Sequence, residues 1–117
     1  MSIQSQAILI RSLAITDVAI MIETLTGRKT VIRPTHKATY KLIEFEGPAG
    51  PECLHLFLES SVSDDYADVT DQPSTFVSAQ LSPFASATVR QLTEAFGGFF
   101  RRNDQDAWES IHPIPTS

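Results

Sequence analysis

Cysteine is almost missing from this chain: Cys53 stands alone, so no internal disulfide can form and nothing calls for an oxidising compartment. Its ordinary role is that of a small buried hydrophobe. Long apolar runs are missing as well. The most apolar stretch, MSIQSQAILIRSLAITDVAIM, is interrupted by Arg11 and Asp17 and followed by Glu23, well short of the roughly 18–20 uncharged residues a spanning helix needs. No positive charge precedes its apolar run, as a signal peptide would require, so a cytoplasmic protein is expected. Glycine is scarce, and where it occurs it punctuates. Gly47 and Gly50 flank prolines, and Gly97-Gly98 follows a helical pattern, so no glycine-rich phosphate loop is present. GxSxG, HExxH and CxxC are all absent, which removes the enzyme classes those motifs define. No cofactor is expected, and there is no internal repeat or low-complexity tract.

What is present is ordinary globular material. With 117 residues, 42% of them hydrophobic and 20% charged, residues 1–117 can bury a core as one domain without metals or disulfides. The clearest element is Leu81–Phe100. Ser82 is placed to cap a helix, Pro83 occupies its first position, and Gly97-Gly98 ends it. Ala85, Val89, Leu92 and Phe96 recur at helical spacing and form one face that must be buried.

Earlier in the chain, Ala7–Ile10 reads as a strand buried on both faces. A helix follows, with Thr16 as cap, Asp17 in the first turn, Ile15 and Ile20 as a hydrophobic staple, and Gly27 at its end. Residues 37–46 alternate as a strand, as does Cys53–Glu59, and the turn-forming run 47–51 joins them in a hairpin. In the second strand Leu54, Leu56 and Leu58 share one face, and Cys53, His55, Phe57 and Glu59 share the other. Residues 60–80 form a long acidic loop, with room for a short strand near Phe76-Val77. Two further strand candidates, 99–102 and 107–112, could pair across Asn103-Asp104. The resulting order of strand, helix, strand, strand, helix, strand resembles the ferredoxin-like sandwich. That resemblance implies an α+β fold with an antiparallel sheet carrying two helices on one face. It implies no function.

Charge is strongly segregated. Arg28, Lys29, Arg33, Lys37 and Lys41 fall within residues 24–43 without an acid among them. Glu44, Glu46, Glu52, Glu59, Asp64, Asp65, Asp68 and Asp71 follow without a base. Two such poles can steer a charged partner or a second copy of the chain, unless neighbouring strands bring them together and cancel them. The net charge of −5 argues against general DNA binding. Cys53–Glu59 lacks the glycine-aromatic pattern of an RNA-recognition strand. Asp64, Asp65, Asp68 and Asp71 do not follow a calcium loop, which needs alternating oxygens, a glycine and a closing glutamate. Cys53 and His55 supply two ligands where zinc needs three or four, so no metal is expected.

These features point to a small non-enzymatic interaction module, of accessory, regulatory or inhibitor type, that binds a protein partner or forms a homodimer. Its expected contact residues are Arg28, Lys29, Arg33, Lys37, Tyr40, His55, Phe57, Asp64, Asp65 and Asp68. One alternative is a small-ligand or catalytic domain using His55 and Glu59 on the open sheet face. Another is a nucleic-acid contact through residues 28–41.

Overall fold

The computed structural model describes residues 4–11, 13–60, 74–80, 82–103 and 105–112, with only the backbone of residues 59 and 60. The elements are β1 (Gln4–Leu9), α1 (Ile15–Thr26), β2 (Thr30–Pro34), β3 (Tyr40–Gly47), β4 (Gly50–Ser60), β5 (Ser74–Gln80), α2 (Pro83–Phe96), β6 (Gly98–Arg101) and β7 (Glu109–Ile111). The strands form one sheet in the order β2-β3-β4-β5-β1-β6-β7, every neighbouring pair antiparallel. The fold is therefore α+β with a seven-stranded sheet, and the four-stranded ferredoxin-like sandwich does not form. Helix α2 links β5 to β6, the two strands that flank β1.

Three strands account for the difference: β2 is not foreseen from the sequence, while β5 and β7 stand there only as candidates, near Phe76-Val77 and at 107–112. β2 is short, basic and ends in proline. β7 has three residues. β5 reads STFVSAQ, polar enough to pass for loop, yet most of it is buried. Its hydroxyls make that burial tolerable: Thr75 Oγ1 donates to the Arg11 carbonyl and accepts from the Leu13 N–H at 3.2 Å. Part of the segment expected to be loop is thus a strand near the centre of the sheet.

Register sorts the side chains into two faces. Ala7 lies opposite both Val77 and Phe100, Val77 opposite Leu56, and Leu54 opposite Ala79 and Ile43. These residues join Val18 and Ile22 of α1 and Ala85, Val89 and Leu92 of α2 in one hydrophobic core. The expected leucine face of β4 is confirmed, with Leu54 and Leu56 fully buried and Leu58 packed against the core. The β3–β4 hairpin is tighter than expected. Strands run to Gly47 and from Gly50, leaving Pro48-Ala49 as the turn. Pro51 is admitted to a central strand because the β4–β5 pairing begins only at Leu54, so no ladder bond needs its missing N–H.

Ser82 caps α2 as anticipated, accepting from the Ala85 N–H at 3.1 Å, and its hydroxyl donates to Glu52 of β4. The start of α1 is different. Ala14 is the cap residue and makes no side-chain cap bond, while Thr16 is already helical. The flanking residues that would staple this true start are Leu13 and Val18, both buried, whereas Ile20 is 62% exposed. Beyond α2 the chain turns straight into β6. Gly98 has φ +149°, and a Cβ there would stand 2.0 Å from the Ile8 carbonyl oxygen, so only glycine fits.

Candidate functional site

The sheet face turned away from the helices is not uniformly open. Ile8, opposite Phe76 and Phe99, is fully buried there, and Ser78 is nearly so. Exposure is concentrated on the β2–β4 side, where Phe57 is 40% and Val31 51% exposed.

On that side the antiparallel register sets Tyr40 of β3 directly opposite Phe57 of β4. Their rings stack almost parallel, centroids 4.7 Å apart and planes 2° apart. His55 is two residues along the same strand and hence on the same face. The Tyr40 hydroxyl lies 2.6 Å from His55 Nδ1, and Phe76 of β5 tilts against Phe57 at 5.8 Å. Which of the two donates depends on the imidazole tautomer, and in either case one N–H or O–H is left over to donate outward. The result is a flat aromatic platform whose polar rim can donate a hydrogen bond.

Cys53 shares this face, as its spacing implied, but it is not set up as a nucleophile. Burial, and secondarily the Glu44 carboxylate, push its thiol pKa up, which keeps it protonated. No group of three or more His, Cys, Asp or Glu residues could hold a metal ion among the described residues. A cavity of about 250 Å³ opens at the end of β4, lined by Glu52, Cys53, His55, Gln80 and Ser82 among others.

The expected basic residues cluster at one edge of the sheet. Arg28 and Lys29 join α1 to β2, Arg33 lies in β2, and Lys37 lies between β2 and β3, all exposed. Arg33 is partly neutralised, since its Nε donates to Glu44 on the neighbouring strand. At that one point the basic and acidic blocks cancel. Asp64, Asp65 and Asp68 lie outside the described residues, as does the side chain of Glu59.

A second aromatic and basic cluster was not anticipated from the sequence. Arg90 of α2 lies over the Phe100 ring at 5.5 Å and pairs with Glu109 of β7. Arg101 lies over Trp108 at 4.2 Å, its Nε donating to Gln6. Arg90, Phe100, Arg101 and Glu109 border a cleft of about 460 Å³ between α2 and the β6–β7 hairpin. Both guanidiniums are engaged by protein partners, so the cluster braces the hairpin against α2 and β1. The only sequence signal for it was the run Phe99-Phe100-Arg101-Arg102, whose alternation puts one aromatic and one arginine on each face.

No helix among the described residues is long and apolar enough to cross a membrane. Compared with protein-family models, curated proteins and solved structures, the chain matches none.

Proposed function

We propose that this chain is a single-domain, cytoplasmic, non-enzymatic interaction module that binds a protein partner on the platform of Tyr40, His55 and Phe57. The observation that carries the reading is Phe57 itself: a 40% exposed phenylalanine held flat against Tyr40 in the middle of a sheet face. Paired strands fix these rings, so little side-chain freedom remains to be lost on binding, and aromatic anchors of this kind dominate interface energetics. His55 adds an orienting hydrogen bond. The raised thiol pKa of Cys53 counts against a nucleophilic use of the same face. The Arg33–Glu44 pair and the net charge of −5 count against nucleic acid as the main ligand.

The test is affinity capture from native extract with the tagged full chain, comparing Phe57→Asp with Ile20→Asp. Ile20 is the more exposed of the two apolar side chains but stands on the outer side of α1, so it controls for general stickiness. A specific partner should be lost with Phe57→Asp and retained with Ile20→Asp, both variants keeping the wild-type circular dichroism spectrum. If neither substitution changes the captured set, the platform is not the docking surface. Sedimentation of the purified chain separates a second copy from a foreign partner.

A further inference from the structure

Strand β2 ends the sheet, and its residues from Val31 to Pro34 are all exposed. The hydrogen-bonding character of its free edge follows from one contact. Glu23 of α1 accepts from the Thr30 N–H and the Thr30 hydroxyl, both at 2.9 Å, so the Thr30 N–H points away from β3. Antiparallel alternation then directs the Val31 and Arg33 backbone groups to β3 and turns those of Thr30, Ile32 and Pro34 outward. Thr30 has its N–H occupied, and Pro34 has none. The edge therefore offers three carbonyl acceptors and a single donor, the Ile32 N–H.

This asymmetry decides what can pair with it. A second copy placed antiparallel about Ile32 would set Thr30 against Pro34, carbonyl facing carbonyl with no N–H between them. It would also bring Arg28, Lys29 and Lys37 of both copies together, a like-charge contact. A foreign extended segment has no such conflict, because its own N–H groups can satisfy all three carbonyls. The surroundings select its side chains. Arg28, Lys29, Lys37 and Lys41 flank the edge, the Glu23 carboxylate that meets it is taken up by Thr30, and neither Arg28 nor Lys37 makes an ion pair among the described residues. Val31, 51% exposed, and Ile32, 36% exposed, supply apolar contact on the two faces.

We infer that the free edge of β2 is a strand-addition site for an extended acidic segment of a partner protein, and that its shortage of donors blocks self-pairing there. This site is separate from the aromatic platform, and a result at one leaves the other standing.

The test uses the isotope-labelled full chain and two short synthetic peptides of alternating charge and valine, one built with glutamate and one with lysine. The glutamate peptide should shift the amide resonances of residues 30–33 and slow hydrogen exchange at Ile32, whose amide is otherwise open to solvent. The lysine peptide should do neither. Exposed charges lacking a folded-state partner can be reversed without harming the fold, so Arg28→Glu with Lys37→Glu should weaken glutamate-peptide binding by about tenfold at low salt, two exposed charge pairs within their usual range. Phe57→Asp should leave that binding unchanged. Absence of binding at millimolar peptide, equal binding of both peptides, perturbation confined to Tyr40 and Phe57, or dimerisation through β2 in place of peptide binding would each overturn the inference.

Discussion

Truncation of Leu92 is the sharpest test of how α2 sits on the sheet. Leu92 is fully buried, in one core with Val77, Ala7 and Phe100 from the strands beneath α2, whereas its neighbour Gln91 is exposed. Leu92→Ala removes three carbon groups from an apolar environment, about 0.8 kcal/mol each, or roughly 2.4 kcal/mol in transfer free energy. Strands on one side and helix backbone on the other limit collapse. A residual cavity of roughly 50 Å³ would add about 1.2 kcal/mol at the measured cost per unit volume. The expected loss is therefore about 3.6 kcal/mol, within the range seen for buried leucines. Gln91→Ala exchanges two good helix formers at the surface and should change stability by less than about 0.5 kcal/mol. Urea melts followed by far-UV circular dichroism compare the two. At a slope of about 1.5 kcal/mol per molar urea, the Leu92 midpoint should fall by roughly 2.4 M and the Gln91 midpoint should hardly move. Coincident midpoints would mean that α2 presents a different face to the sheet, and the helix–sheet packing described above would fail with it.

Gly98→Ala should be as damaging as a core truncation despite adding a single methyl group. The new Cβ meets the Ile8 carbonyl, and φ +149° is open only to glycine, so a loss of about 3 kcal/mol or more is expected in the same melts. A loss under about 1 kcal/mol would mean that β6 does not approach β1 as closely as described. The pH dependence of stability should carry a contribution from Glu23. Hydrogen bonds from the Thr30 N–H and hydroxyl hold its carboxyl below the ordinary value of 4.5, with Lys29 adding to the effect. Because the folded-state pKa is the lower one, this stabilisation is present above the unfolded-state value and is lost as pH falls through the folded-state value. Thermal melts from pH 6 downward should therefore show the wild type losing more stability below about pH 4.5 than Glu23→Gln does. Parallel curves would show that the Glu23–Thr30 contact is not held in solution.

Local chemistry alone made much of this chain legible. Ser82, Pro83 and Gly97 mark the ends of α2 because capping and an exit at positive φ are properties of a few neighbouring residues, although Gly97, at φ 85° and ψ 146°, leaves in an extended and not a left-handed helical conformation. The leucine face of β4 follows from a period of two, which also puts Cys53, His55 and Phe57 on one surface. The charge blocks are visible as a plain list. Sequence did not disclose the strand count, because strands are recognised by apolar alternation and β5 is buried through serine and threonine whose partners, Arg11 and Leu13, lie more than sixty residues away. Nor could it place Tyr40 against Phe57, since that stack exists only in the register set by the Pro48-Ala49 turn, and a shift of one residue would send the two rings to opposite faces. The donor-poor edge of β2 was equally hidden. Which way an amide points depends on its strand's neighbour and on a carboxylate from α1, and both are decided when helix and sheet come together.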